Sequence, residues 1–370
     1  MKPLHVVVAV FAAVLLIAGC ARSPVLAPDR LLNVPSAAEL TETPFFPQAE
    51  NHCGPAALAT ALSARGMPAD PEPLAASVYL PARKGSLPLD MLGGARRAGA
   101  VTLRLEPRLE TIMSYVAAGY PVIVLQNLGL RWYPLWHYAV VVGYDVAAKE
   151  VILRSGDQAR TTLTTATFDA TWARSGRWAM AVAKPGDVPA PVDRVTYTDA
   201  VLALERVRRV REARSAYQAG LARWPGDLTL IMGAGNTAYA LGDVDSAESA
   251  FRQAAGDHPD SDAALNNLAH VLAQRGALEE AATVARRAVA LVGPWPEPSE
   301  VQIAIVSVSM KPLNEEALSA YLLTGDSLGK AGAYSIQGGG AELIERIEGD
   351  YTAAVGLPLR LVAEMLRQRG

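Results

Sequence analysis

Residues 45–62 read Phe45-Phe46-Pro47-Gln48-Ala49-Glu50-Asn51-His52-Cys53-Gly54-Pro55-Ala56-Ala57-Leu58-Ala59-Thr60-Ala61-Leu62. A cysteine stands at the start of a predicted helix, because the residues after it are strong helix formers and a proline suits the first turn. A thiol there lies among unpaired backbone N–H groups at the positive end of the helix dipole, which favours the nucleophilic thiolate. Gln48 adds an amide suited to binding an oxyanion. Cys53 is therefore predicted to be a nucleophile; the alternative is a buried structural cysteine.

Composition limits the classes of protein that this chain can belong to. The chain has 370 residues, of which 51% are hydrophobic and 19% charged, and its formal net charge is −3. This length predicts about two or three globular domains, and the absence of a dense basic patch argues against nucleic acid as a partner. Cys20 and Cys53 are the two cysteines, neither in a metal-type cluster, so no metal or cofactor is predicted.

The first twenty residues are typical of an export signal. Lys2 precedes an apolar run, and Leu16-Ile17-Ala18-Gly19-Cys20 ends it. This ending resembles a bacterial lipoprotein signal, in which the cysteine is lipidated and becomes the first residue; the alternative is a plain signal peptide or an uncleaved anchor. Position 21 is alanine, not the aspartate that often retains such proteins in the inner membrane. The resemblance implies a lipoprotein of the outer membrane that faces the periplasm.

After a proline-interrupted tether at residues 21–40, residues 41–185 are predicted to form one α+β domain, with helices first and an antiparallel sheet afterwards. The predicted helices are Cys53–Ala64, Leu74–Tyr79, Leu89–Ala98 and Leu109–Ala118, and the predicted strands are Val101–Leu105, Pro121–Gln126, His137–Tyr144, Glu150–Arg154 and Trp178–Ala183. His137 opens one of these strands, where its ring can be both fixed and accessible. It is the natural partner of Cys53, since a Cys–His pair makes a nucleophile; the alternative is a strand-end histidine bonded to a loop.

These motifs together resemble a known family. Gln48, then Cys53-Gly54-Pro55-Ala56, then the strand from His137 to Tyr144 look like the papain-like bacteriocin-processing (double-glycine) cysteine peptidases, and most closely like lipoprotein members with a tetratricopeptide tail. The resemblance implies that Cys53 is the nucleophile, His137 the general base and then acid, and Gln48 the oxyanion donor.

One position departs from the family pattern. The family has an aspartate on the strand after the histidine strand, and this chain has Ser155 at that position, with Asp157 two residues later. We expect Asp157 to reach His137 across a turn, so the predicted catalytic set is Cys53, His137, Asp157 and Gln48. If Ser155 orients the ring instead, it does so more weakly or with reduced activity.

A proline-rich linker at residues 186–193 leads into a repeat over residues 194–295. Three series of positions recur every 34 residues: Ala213, Ala247 and Ala281; Tyr217, Phe251 and Ala285; Gly220, Ala254 and Ala288. The period resembles tetratricopeptide repeats, in which small residues let paired helices approach. Such arrays offer a concave surface to a peptide or a partner protein; the alternative is a packing domain that only supports the peptidase.

The last segment, residues 300–370, resembles a different family. Leu323-Thr324-Gly325-Asp326, Lys330 and Gln337, and Ile344 to Tyr351 look like the C-terminal part of Maf-type nucleotide pyrophosphatases, forming a short α/β fragment. Lys330 and Gln337 match positions near that family's nucleotide pocket. The family's Ser-Pro-Arg-Arg loop and its mid-domain aspartate are not found upstream of Val301, so no nucleotide hydrolysis is expected.

The leading functional prediction is a lipid-anchored periplasmic cysteine peptidase acting on a peptide or protein. Relatives that cleave double-glycine leaders carry transporter segments that this sequence does not show, so such a leader is not implied. The alternative is an inert peptidase-like lipoprotein that binds a partner through its repeats. A third hypothesis, a nucleoside triphosphate pyrophosphatase, conflicts with the missing half-site and with the export signal.

Overall fold

The computed structural model describes most of the chain. The described residues are 26, 34–48, 51–288, 306–312, 321, 338–349 and 351. Three positions predicted to be functional, Cys20, Lys330 and Gln337, lie outside them. The chain divides into two units, residues 1–257 and 258–370, which are described separately.

Five helices accompany the sheet of the first unit. α1 is apolar all round, and every residue from Gly54 to Leu62 is buried, as expected for a helix inside a core. Prolines at the first turns of α2 and α3 mark where those helices begin. The predicted helices are therefore present, with ends shifted by a few residues. The helices are α1 (Cys53–Ala64), α2 (Pro71–Val78), α3 (Pro88–Arg97), α4 (Leu109–Ala117) and α5 (Thr165–Ala173).

The sheet is antiparallel throughout, which confirms the α+β class. Its order is β2-β7-β3-β4-β5-β6, and β1 pairs with the far end of β4. All residues of β3 and β7 are buried, because helices cover both faces of the sheet. The strands are β1 (Ala37–Glu39), β2 (Val101–Arg104), β3 (Val122–Asn127), β4 (Trp136–Asp145), β5 (Glu150–Ser155), β6 (Gln158–Thr164) and β7 (Ala179–Ala183).

Three elements of the sheet domain do not follow from the sequence pattern. β1 lies within the range expected to be a tether, and it forms because its residues pair with Gly143–Asp145 of β4. β6 is largely exposed and polar, so it has no apolar alternation to reveal it. Helix α5 follows β6 directly and is capped by Thr164, whose hydroxyl accepts a hydrogen bond from the Thr167 N–H.

Alternate residues of the inner strands β3, β4 and β7 belong to two separate cores. On β3, Val122 and Val124 pack into one core, whereas Ile123 and Leu125 pack into the other. This follows from the two-residue period of a strand, which directs successive side chains to opposite faces. Helices α1, α2 and α3 cover one face, and this is the face on which α1 brings Cys53 to the sheet.

Helix pairs repeat every 34 residues after the sheet domain, as predicted. The first members begin at residues 194, 228 and 262, and the second members at 210, 244 and 278. In the first unit the helices are α6 (Arg194–Arg206), α7 (Val210–Arg223), α8 (Leu228–Ala240) and α9 (Val244–Asp257), and in the second unit α10 (Asp262–Gln274) and α11 (Leu278–Ala288). A Cβ added at Gly233 would lie 2.3 Å from the ring of Tyr217. The glycine therefore makes room for the repeat aromatic.

The segment predicted as a linker is held against the sheet domain. Asp187 forms an ion pair with Arg65 at 2.9 Å, and Val192 is buried. The core on that face also contains Tyr197 of α6 and Tyr217 of α7. Sheet and first helix pair thus share one hydrophobic core, because the apolar side of the repeat has no other partner as large as the sheet.

The second unit also contains two short strands within the range predicted to be Maf-like. β8 (Ser307–Met310) and β9 (Ile344–Glu348) pair in antiparallel fashion, and a 3₁₀ helix, Gly338–Leu343, precedes β9. No helix in the described part of the chain is both long enough and apolar enough to cross a bilayer.

Candidate active site

Cys53 is the first residue of α1, as the sequence predicts. The chain enters the helix through Asn51, whose φ of 63° lies in the left-handed region that asparagine tolerates better than most residues. His52 occupies the N-cap position, and its ring stacks on Tyr79 with 4.6 Å between ring centroids. The backbone conformation of Asn51 and the stacking of His52 on Tyr79 thus define the turn that leads into Cys53.

The ionisation of Cys53 differs from the sequence-based prediction. Burial raises the pKa of the thiol, and this effect exceeds the lowering by hydrogen bonds from the backbone of Tyr138, Gly54 and Cys53 itself. The positive end of the helix favours the thiolate, but the removal of water from around the sulfur disfavours the thiolate by more. The expectation of a depressed thiol pKa is thus wrong for the free protein. The Tyr138 contact also places the sulfur beside β4, the strand that carries His137.

Gly54 allows a loop to approach the start of α1. A Cβ at this position would lie 2.4 Å from the Ser86 hydroxyl and 2.8 Å from the Ser86 Cβ. The same loop is tied to β4 by the Tyr138 hydroxyl, which donates to the Ser86 carbonyl at 3.3 Å. Glycine is required here because any side chain would push the loop away from Cys53.

His137 lies near the beginning of β4 with its ring held by a neighbouring strand. Its Nε2 is 2.8 Å from the hydroxyl of Ser155, the last residue of β5. Burial lowers the pKa of His137, so the neutral imidazole is favoured. With Nε2 engaged, Nδ1 is the ring nitrogen left to exchange a proton.

Asp157 does not contact His137 in this structure. β5 and β6 pair through Ser155 and Gln158, so Gly156 and Asp157 form a two-residue turn between them. Gly156 adopts a φ of 63°, and the Asp157 carboxylate accepts a hydrogen bond from the exposed Gln158 side chain at 3.0 Å. The hairpin turn thus takes Asp157 to the surface, and the partner of the ring is Ser155.

Gln48 is anchored at both ends of its amide. Its Nε2 donates to the Tyr138 carbonyl at 3.1 Å, and its Oε1 accepts from the Gly156 N–H at 3.1 Å. A side-chain amide has two N–H donors, so one remains after the bond to Tyr138. The sequence predicts this residue as an oxyanion donor, and the structure gives it a fixed position between β4 and the β5–β6 turn.

The predicted residues Gln48, Cys53 and His137 line one cleft of about 890 Å³. Two further segments complete its walls and were not identified from the sequence. One is the loop before α3, with Arg83, Lys84 and Ser86, and the other is the β3–β4 hairpin. The hairpin contributes Leu125, Leu128, Leu135 and Trp136.

The β3–β4 hairpin is ordered by Asn127 although its tip is apolar. The Asn127 side chain accepts hydrogen bonds from the Gly129 and Leu135 N–H groups, each at 2.9 Å. At the tip, Trp132 is 81% exposed and Tyr133 is 73% exposed. The run from Leu128 to Trp136 between two buried strands is the sequence signal that could have revealed this wall. Among the described residues, no group of three or more His, Cys, Asp or Glu side chains is placed to hold a metal ion.

The part of the chain that contains this cleft is similar to known proteins. Residues 40–180 match the model of the Peptidase_C39 like family. Residues 40–180 are therefore similar to this family, and we call this segment the C39-like domain. A C39-like peptidase from Bacillus anthracis is one solved structure that resembles the chain, with 20% identity, 40% of this chain and 98% of that chain covered, and a TM-score of 0.35. Residues 40–180 include strands β2 to β6, the start of β7 and the residues that line the cleft.

The remainder of the chain matches other proteins. Residues 203–369 match the family model described as Maf-like protein. A dTTP/UTP pyrophosphatase of Geobacter sulfurreducens is 54% identical over 66 residues, which are 18% of this chain and 35% of that protein. The chain therefore spans about a third of the length of such curated relatives. Another solved structure that resembles this chain is the second TPR of Spaghetti, bound to an HSP90 peptide. The match covers 26% of this chain and 88% of that chain, with 16% identity and a TM-score of 0.25.

Proposed function

We propose that the C39-like domain is a cysteine peptidase in which Cys53 is the nucleophile and His137 the general base and then acid. The observation that carries this proposal is the convergence of Cys53, His137 and Gln48 on one cleft, with the imidazole held by Ser155. A nucleophile beside a base that is itself oriented by a third group is the arrangement required for acyl transfer. The role expected of Asp157 therefore passes to Ser155.

The pKa directions indicate how the thiol is activated. Burial raises the pKa of Cys53 and lowers the pKa of His137, so each charge alone is disfavoured. The neutral thiol and imidazole are the resting pair, and the proton moves from Sγ to Nδ1 as Sγ attacks the substrate carbonyl carbon. The imidazolium and the oxyanion that form in this step attract each other in a poorly solvated site.

The rest of the reaction uses the same groups. The oxyanion accepts hydrogen bonds from the free N–H of Gln48 and from the backbone N–H of Cys53. His137 returns its proton to the amine as the C–N bond breaks, which leaves a thioester on Cys53. Water, deprotonated by His137, then attacks the thioester carbon and releases the acid and the thiol.

A proteome-derived peptide library tests this function, because it presents many different cleavage sites at once. The library is incubated with the full chain and new peptide termini are found by mass spectrometry. Cleavage that disappears in both Cys53→Ala and His137→Ala supports the proposal. Library peptides that remain uncleaved but are retained by the protein would instead support the inert binding protein.

We also propose that Cys20 carries the lipid that anchors the protein to the outer membrane, facing the periplasm. The lipoprotein-like ending of the apolar segment before Cys20 supports this. Expression in a Gram-negative bacterium, followed by mass analysis of the N-terminal peptide, should find an acylated residue 20. In Cys20→Ser the acyl mass should disappear and the protein should leave the membrane fraction.

We propose that the repeats bind a peptide or a partner protein, since arrays of this period commonly offer a binding surface. We infer no nucleotide hydrolysis by the Maf-like segment. Its curated relatives are matched over about a third of their length, and the sequence lacks the phosphate-binding loop expected upstream. Incubation of the full chain with dTTP or UTP and Mg²⁺ should release no pyrophosphate, and metal-dependent release would overturn this inference.

A further inference from the structure

The charged residues that line the cleft are all basic. Among the described lining residues these are Arg83 and Lys84, and no aspartate or glutamate is present. Cys53 itself stands at the positive end of α1. Two basic side chains therefore line the cleft that contains Cys53, although the whole chain carries a formal net charge of −3.

The loop that carries the two basic residues is rigidly built. Residues Pro81–Arg83 form a 3₁₀ turn, and Leu80 exchanges two backbone hydrogen bonds with Gly85, at 2.8 and 3.5 Å. Lys84 has φ 48° and ψ 46°, a left-handed conformation that a lysine rarely adopts. The backbone of the loop thus places Arg83 and Lys84 in the lining of the cleft.

Neither Arg83 nor Lys84 forms an ion pair with a described residue, and both are exposed. Other arginines near this domain do have acidic partners, such as Arg65 with Asp187 and Arg177 with Asp169. An unpaired positive pair beside a nucleophile attracts anionic groups more than neutral ones.

We propose that the cleft selects substrates with a carboxylate close to the bond that is cleaved, and that Arg83 and Lys84 bind this carboxylate. The proposal rests on the peptidase function proposed above. It assigns an acidic side chain to the part of the peptide that lies along the loop before α3. The apolar hairpin on the other part of the cleft wall then contacts the hydrophobic portion of the same peptide.

Two alkylating reagents of similar size test this at the sulfur itself. Iodoacetate carries a carboxylate on the carbon that the thiolate attacks, and iodoacetamide carries a neutral amide there. Both react with the thiolate, so the ratio of their rates is independent of how much thiolate is present. The rates are read by mass spectrometry of the Cys53 peptide in the full chain, with the urea-unfolded chain as reference.

We expect the iodoacetate-to-iodoacetamide ratio to exceed that of the unfolded chain by about fivefold at low ionic strength, as two charges at roughly 8 Å in water would give. The excess should shrink as salt is added. Arg83→Gln combined with Lys84→Gln should return the ratio to the reference value. Lys149→Gln, which removes an exposed charge outside the cleft lining, should leave the ratio unchanged.

The two proposals fail in different ways. A ratio equal to the reference in the native chain overturns carboxylate selection, even if Cys53 reacts quickly with both reagents. Absence of peptide cleavage at a raised ratio overturns the peptidase function only. Glu50 is an acidic residue three positions before Cys53 in the sequence, outside the described residues. The ratio is therefore also measured in Glu50→Gln, which removes this negative charge. A ratio equal to the reference in this variant would likewise overturn carboxylate selection.

Discussion

The contact between Ser155 and His137 gives the sharpest prediction. Ser155→Ala removes one neutral hydrogen bond of 2.8 Å in a partly buried setting, a loss of about 0.5–1.5 kcal/mol. If the bond serves to orient the ring, kcat/KM should fall by about twofold to tenfold. Asp157→Ala is the matched control, because the Asp157 carboxylate is bonded to Gln158 on the surface, and it should leave the rate unchanged.

Ser155→Asp tests the same contact in the opposite direction. A carboxylate beside Nε2 favours the protonated imidazole, and a charged hydrogen bond of about 1.5–3 kcal/mol should raise the pKa of His137 by about one to two pH units. An NMR titration of the ring C2–H, assigned by its loss in His137→Gln, measures this value. The reasoning would be refuted by an unchanged pKa in Ser155→Asp, or by a rate loss in Asp157→Ala equal to that in Ser155→Ala.

Packing and charge give three further predictions. Gly54→Ala should destabilise the protein by about 1–3 kcal/mol, because the loop that carries Ser86 must shift. Gly256→Ala is the control and should not destabilise it, since a Cβ there has nothing within 4 Å. Thermal unfolding measures both variants, and equal melting temperatures would contradict the close approach of Ser86 to Gly54. Arg65→Ala removes the ion pair with Asp187 and the contact with the Tyr120 ring at 3.9 Å, so limited proteolysis should cleave the segment after β7 faster. An unchanged cleavage rate there would show that other contacts hold this segment. The unfolding free energy should decrease below about pH 6.5, because the pKa of His137 is lowered, and above about pH 9, because the pKa of Cys53 is raised. In urea titrations at several pH values, His137→Gln should remove the decrease at acid pH, and Cys53→Ser should remove the decrease at alkaline pH. A decrease that persists in its variant would come from other groups.

Several parts of the site could be predicted because they depend on local sequence. The helix that begins at Cys53 ends at Ala64 as expected from the run of helix formers. The strand with His137 was indicated by its apolar run, and Gln48 by its place before the cysteine. These residues do meet at one cleft. The loop that carries Arg83 and Lys84 has no such local signature, since its position depends on packing against α1 and β4.

Local sequence was enough to predict four of the five helices and most strands of the C39-like domain, the 34-residue repeat and the residues Gln48, Cys53 and His137. Propensity and periodicity are local properties, so they can be read without coordinates. Only the tertiary structure decided that Ser155 contacts the ring, because the register of β5 with β6 turns Asp157 outward. It also decided the pKa directions of Cys53 and His137, because desolvation depends on what the whole fold packs around a group.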